Sequence, residues 1–302
     1  MATKQKITIG TRGSDLALWQ AQFVKGQLEG LGCEVVINII KTRGDQIQHL
    51  SFQKMEGKGF FTKEIEESLL SKQIDLAIHS FKDLETADVN GLNIAAVSYR
   101  ENPTDSLIIK KEAVDESQHL SLKTGAKVGT SSARRKSQLK AFRPDIELVD
   151  LRGNVPTRID KLQTGNYDAI MLATAGLNRL AIDLSEFHVE QLDPKEFIPA
   201  PAQGVLGLQT RTNDSATNKV VSQLNDSSVR ELIDIERGVL KRFSGGCQLP
   251  LGVYCEKQQN EFHLWGALGQ DNGLVHRAHF VTKNSKYASK GMVDALKKKV
   301  LN

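Results

Sequence analysis

The stretch Ile74–Glu85, IDLAIHSFKDLE, places an apolar run directly before a polar cluster. Asp75-Leu-Ala-Ile78 has the length and character of a short buried strand, and His79, Ser80, Lys82 and Asp83 begin where it stops. Open α/β sheets bind ligands beyond the carboxyl ends of their strands. Asp83 is therefore the first candidate for chemistry. A Lys-Asp pair by itself also fits a solvated surface turn. What favours chemistry is the company of arginines at similar strand-to-helix turns.

Those arginines are Arg12, Arg43, Arg134, Arg135, Arg152, Arg158 and Arg179. Guanidinium forks pair with carboxylates or phosphates, and Ser131-Ser132 at a helix start adds backbone N–H groups that favour an anion. Any single arginine fits a solvated ion pair; seven at equivalent turns point to a polyanionic ligand. Cys247 sits in Ser244-Gly-Gly-Cys-Gln-Leu-Pro250, a turn too glycine-rich for a core segment. It is either an inert buried thiol or a nucleophilic point of attachment. Cys33 and Cys255, beside β-branched or aromatic strand residues, read as packing. His79 has no orienting partner legible in the sequence and reads as structural. Lys58-Gly-Phe60 fits a packed loop and a mobile lid equally well.

The elements that must position these groups follow from periodicity. Of the 302 residues, 39% are hydrophobic and 25% charged, and one core rarely grows past roughly 250 residues, so two or three domains are expected. Lys6–Gly10 is a strand, Leu16–Glu29 a helix, Glu34–Lys41 a strand, Thr62–Ser71 a helix, Ile74–Ile78 the third strand and Gly91–Ser98 a further one. Tyr99–Asp105 reads as a hinge because Pro103 interrupts regular structure. A second series follows, with strands at Lys127–Thr130, Ile146–Leu151 and Ala169–Ala173, each entering a helix (Ser131–Leu139, Asn154–Leu162, Thr174–Leu180). Ile198-Pro-Ala-Pro-Ala202 marks a crossing back, with Val205–Thr210 returned to the first domain as a strand. Two crossings predict a hinged pair of α/β domains with a cleft between them. From about Asn218 the pattern changes to a helix Val229–Phe243, three strands near Val253, His263 and His279, and a helix Tyr287–Val300, an α+β domain.

The net charge of +4, from 40 Lys+Arg against 36 Asp+Glu, is too mild to require nucleic acid. Three cysteines at these spacings favour neither a disulfide scaffold nor a metal site. No apolar leader and no run of the ~18 apolar residues that a membrane helix needs is present, so a cytoplasmic protein away from membranes is expected. No large interface patch is evident, and a monomer is the default.

Taken together, the blocks TRGSDLALWQA from Thr11, GKGFF from Gly57, IHSFKD from Ile78, GTSSARR from Gly129, LRGNV from Leu151 with Thr157-Arg158, YDAI from Tyr167, AGL from Ala175 with Arg179, and GGCQLP from Gly245 resemble the porphobilinogen deaminase, or hydroxymethylbilane synthase, family over nearly the whole chain. The resemblance implies two hinged periplasmic-binding-protein-like α/β domains, residues 1–101 with 198–216 and residues 105–195, and a small α+β domain over residues 220–302. It implies a transferase that condenses four porphobilinogen molecules into a linear tetrapyrrole with loss of ammonia, on a dipyrromethane cofactor linked by a thioether to Cys247. Asp83 matches the catalytic aspartate. Lys82, Asp83, Thr130, Ser132, Arg134, Arg135, Asp105 and Gly153 match cofactor-binding positions. Arg12, Ser14, Lys58, Phe61, Ser80, Arg152, Arg158, Arg179, Gln203 and Gly204 match positions that bind substrate or growing chain. No metal is implied, and the product could pass to a downstream synthase.

The sequence departs from the family's usual pattern at Glu85, where proline is common, at Ala202, where glycine is common, and at Gln209, where an acidic residue is common. None removes a proposed catalytic group. A second class of function, simple capture of an organic anion by a hinged binding protein, would release no ammonia. A third, nucleic-acid binding, fits poorly with near-balanced charge and 6% aromatics.

Overall fold

The computed structural model describes residues 4–42, 62–244, 249–270 and 273–301. The chain forms two compact units, Met1–Glu101 with Val205–Arg230, and Asn102–Gly204 with Glu231–Asn302.

In the first unit, Lys6–Thr11 (β1) alternates Ile7 and Ile9 into the core and leads into Asp15–Gly30 (α1). That helix buries Ala21, Val24 and Leu28, a stripe at helical spacing, against Cys33 and Val35 among others. Burying Val24 and Leu28 contributes about 1.5–3 kcal/mol each. Just past the helix end, Gly32, with a φ of +86°, turns the chain into Glu34–Ile39 (β2). Lys63–Leu70 (α2), Leu76–Ser80 (β3) and Leu92–Val97 (β4) follow. The sheet is completed from far along the chain by Leu206–Arg211 (β10), giving the order β2-β1-β3-β10-β4. β1 runs parallel to β2 and β3, whereas β10 runs antiparallel to both β3 and β4. Ser215–Val221 (α6) then packs Val221 into the same core.

The second unit repeats this plan. Its strands are Asp105–Lys110 (β5), Lys127–Gly129 (β6), Glu147–Val149 (β7), Ala169–Ala173 (β8) and Phe187–Gln191 (β9), in the order β7-β6-β8-β5-β9. β6 is parallel to β7 and β8, and β5 is antiparallel to β8 and β9. The crossover helices are Ala133–Phe142 (α3), Val155–Gln163 (α4) and Thr174–Leu180 (α5). Ser132 and Asn154 cap α3 and α4 by accepting the N–H of Arg135 and Thr157. Two strands, β5 and β9, were not foreseen. The irregular chain around Pro103 gives way at Asp105, where β5 begins its antiparallel pairing with Ala173 of β8.

A separate core within the second unit comes from the antiparallel meander Leu251–Gln258 (β11), Glu261–Gly269 (β12) and Val275–Thr282 (β13), with Ser227–Arg242 (α7) and Ser285–Leu301 (α8). Ile235, Val239, Val253, Leu264, Met292 and Leu296 fill it. Among the described residues no helix is long and apolar enough to cross a membrane, and no group of His, Cys, Asp and Glu side chains could hold a metal ion.

His79 finds in β10 the partner that the sequence hides. Its Nε2 lies 3.0 Å from Gln209 Oε1, and Gln209 Nε2 donates in turn to Glu66 Oε1 at 3.0 Å. Burial lowers the His79 pKa to about 4, with the Gln209 bond opposing that shift. The unfolded chain therefore binds one more proton than the folded chain between about pH 4 and 6.5, and stability falls as pH drops through that window. Acidification from pH 7 to pH 5 should cost about 2 kcal/mol through this group. Urea titrations of wild type and His79→Gln should show a smaller acid loss in the variant, and equal losses would remove His79 as the cause.

Candidate functional site

In the first unit the carboxyl ends of the parallel neighbours β1 and β3 carry the candidate groups. β1 ends at Thr11, whose hydroxyl donates to Ala17 O at 3.1 Å, and Arg12 and Ser14 follow in the turn before α1. Both are half-buried. β3 ends at Ser80, whose hydroxyl oxygen accepts from Gln20 Nε2 of α1 at 2.9 Å. A 3-10 turn, Phe81–Asp83, comes next. Phe81 pins it, with its ring buried and its N–H bonded to Val205 O at 2.9 Å. Gly207 makes room for that ring, since a Cβ there would sit 2.8 Å from it. Leu84 is buried on the far side, so the turn is held at both ends while Asp83 is exposed and Lys82 half-buried. Arg12, Ser14, Ser80, Lys82 and Asp83 thus share one sheet edge.

In the second unit the corresponding edge carries Thr130, Ser132, Arg134, Arg135, Arg152, Gly153, Arg158 and Arg179, after β6, β7 and β8. Because β5 runs antiparallel to β8, with Asp105 opposite Ala173, Asp105 enters at this same edge. It has no exposed surface. One oxygen accepts from Arg134 Nη1 at 2.8 Å; the other accepts from Arg135 Nη2 at 2.7 Å, Arg135 Nε at 3.1 Å and Gln203 Nε2 at 3.0 Å. Burial by itself would raise the Asp105 pKa, but the charges and hydrogen bonds of Arg134 and Arg135 reverse that and hold it well below the usual carboxylate range. Arg134 also donates to Ile198 O at 2.9 Å and Arg135 to Met171 O at 2.9 Å. Arg134 and Arg135 are only 5% and 6% exposed. They are fixed in the wall of the sheet edge, where the sequence had suggested open turns.

The other positions are held by backbone. Thr130 is buried, and its hydroxyl accepts from Ser132 N at 3.3 Å. Gly153 has φ +118°, and a Cβ there would meet Thr157 at 2.7 Å, so glycine is required. Its carbonyl accepts from Arg158 Nε at 2.8 Å. Arg179 is buried and donates to Gly204 O at 2.7 Å. Gln203 is fully buried and also donates to Pro103 O at 2.8 Å. Arg43, Lys58, Phe61 and Cys247 lie outside the described residues. Sequence reasoning missed the part played by Asp105 as the counter-ion of the arginine pair. The available signal was an aspartate opening the apolar run Leu107-Ile-Ile109.

The donor set, basic and hydroxyl-rich with one internal carboxylate, suits a ligand bearing several carboxylates. Comparison with known proteins makes this specific. Residues 7–219 match the description "Porphobilinogen deaminase, dipyromethane cofactor binding domain", and residues 231–302 match "Porphobilinogen deaminase, C-terminal domain". The chain belongs to the porphobilinogen deaminase family. Curated relatives include the porphobilinogen deaminase of Chlorobium luteolum, 41% identical over 93% of this chain and 88% of that one, and that of Helicobacter hepaticus, 44% identical over 89% and 82%. Porphobilinogen deaminases make hydroxymethylbilane from porphobilinogen with a dipyrromethane cofactor, as transferases of tetrapyrrole biosynthesis. Solved structures of lower similarity include a putative methionine-binding lipoprotein of Bacillus subtilis, 12% identical with a TM-score of 0.43, covering 80% of this chain and 96% of that one.

Removing one partner of a buried ion pair strands the others, at about 3–5 kcal/mol. Asp105→Asn should lose about that much stability, read as an earlier urea midpoint. A midpoint equal to wild type would show that the arginine pair does not depend on this carboxylate.

Proposed function

We propose that Asp83 is the catalytic carboxylate of this porphobilinogen-condensing enzyme. The observation that carries the assignment is the exposed Asp83 on a turn fixed by buried Phe81 and Leu84, at the carboxyl edge of β3. When porphobilinogen loses ammonia from its aminomethyl group, positive charge spreads over the ring. A preoriented carboxylate beside the pyrrole N–H stabilises that charge without waiting for solvent to reorganise. The same carboxylate then takes up the proton released as the new carbon–carbon bond forms. Lys82, half-buried on the same turn, offers its ammonium to an acid side chain of the ligand.

Each porphobilinogen brings an acetate and a propionate. Arg12, Ser14 and Ser80 on the first unit, and Arg152, Arg158, Arg179, Gln203 and Gly204 on the second, are the proposed substrate positions, with Lys58 and Phe61 from the family motif. The bound dipyrromethane supplies the primer on which the product is built. Cys247 would tether it, and Thr130, Ser132, Arg134, Arg135, Gly153 and Lys82 would hold its acid arms. Asp105, having no exposed surface, would serve through Arg134 and Arg135. The donor chemistry at these positions fits such a group. The proposed domain division is residues 1–101 with 198–216, residues 105–195 and residues 220–302. The enzyme is proposed to act in the cytoplasm as a monomer, with hand-over of product to a downstream synthase.

Asp83→Ala should fold as wild type by circular dichroism and lose nearly all ammonia release, whereas wild-type turnover would demote Asp83 to a solvated turn. Intact mass supplies an independent check. The purified protein should exceed its sequence mass by two linked pyrrole units and Cys247→Ser should not; an unmodified, fully active protein would end the tether assignment.

A further inference from the structure

The segment 198–204 runs along the free edge of β11, and a single carboxylate completes its attachment. Val253 N donates directly to Pro199 O at 3.0 Å. Next to it, Gly252 lets the backbones touch, since a Cβ there would lie within 2.4 Å of Ile198 O. One step further along β11 the two chains diverge. Cys255 N donates instead to Glu236 Oε1 at 2.9 Å, and Glu236 Oε2 accepts Ala202 N at 2.8 Å. Glu236 is fully buried on α7 and stands in for the missing rung of backbone ladder. The residue that it grips is a non-glycine in the left-handed region, with φ +64°. A residue with a Cβ is disfavoured there and persists only where its surroundings over-determine it.

Directly after Ala202 come the groups that the site uses. Gln203 reaches Asp105 Oδ1, and Asp105 holds Arg134 and Arg135; Gly204 O accepts from Arg179. Arg134 and Gln138 donate to Ile198 O from the other end of the segment. We infer that Glu236 is a positioning residue for the condensation: by holding Ala202 in a left-handed turn against β11, it sets Gln203 on Asp105 and thereby orients the paired guanidinium groups. This rests on the role proposed above for Arg134 and Arg135. It also makes this chain more dependent on Glu236 than one with glycine at position 202, where the turn needs no external hold.

The experiment compares wild type, Glu236→Gln, Ala202→Gly and the double variant as loaded holoenzymes, with primer content counted by intact mass. Glu236→Gln keeps one acceptor oxygen and loses the other. It should lower kcat per loaded enzyme about tenfold with KM for porphobilinogen within twofold, and should speed exchange of the Ala202 amide. Ala202→Gly should stay near wild type, and the double variant should recover to within about threefold of it. If Glu236→Gln does not fold, the double variant is read alone: soluble, loaded and active supports the inference, and equally insoluble overturns it. Equal kcat in wild type and Glu236→Gln, or no recovery in the double variant, also overturns it. Because amide exchange is read separately from activity, and kcat is counted per loaded enzyme, both stand apart from the tether test. Failure of the Cys247 assignment shows instead as primer mass on Cys247→Ser.

Discussion

Asp105 has no exposed surface, yet its two oxygens accept from two guanidinium groups and an amide. A buried carboxylate of this kind survives only if every lone pair is used and the opposing charge is adjacent. Two arginines at consecutive positions of α3 meet that requirement because Ser132 caps the helix and sets its first turn at the end of β6. The neutralisation is incomplete by design of charge: one negative group against two positive ones leaves the sheet edge net basic. That residual charge suits a ligand with carboxylate arms, and the burial keeps water from screening it. Much of the second unit's edge depends on this arrangement, since Gln203, Ile198 and Met171 are all drawn in by the same guanidinium groups and carboxylate.

The first unit solves a different problem with the same strand plan. Where β5 opens on a charged residue, the equivalent strand β10 opens on Leu206, and the polar group is displaced onto the turn after β3. There the requirement is an exposed carboxylate that does not wander. Phe81 beneath Gly207 and the Phe81 N–H on Val205 O supply the anchor, and Asp83 is carried two residues beyond it.

Local pattern was a good guide wherever strand and helix alternate within a few residues. Ala169–Ala173 and Thr174–Leu180 appear with the boundaries that periodicity gave, because a buried apolar run and a following polar turn are both local signals. The edge positions of Arg12, Ser132 and Arg152 were legible for the same reason, whereas Arg179 lies in the last turn of α5 and not at the turn that opens it. Pairings between distant segments were not. Nothing in the sequence shows that Gln209 faces His79, that Asp105 closes on Arg134, or that Glu236 meets Ala202, because each depends on register between elements more than twenty residues apart. β5 was hidden by Pro103 and by its polar first residues, and β9 (FHVEQ) by its shortness, with only Phe187 and Val189, both half-buried, facing the core.

The sheet order β2-β1-β3-β10-β4 carries a consequence for synthesis. A nascent chain that has emerged only as far as Glu101 holds four of the five strands but lacks the one that joins β3 to β4. Domains generally fold as units as they leave the ribosome. This one must wait with an open seam until Arg211 is out, and by then all five strands of the second unit's sheet, β5 to β9, have already been translated.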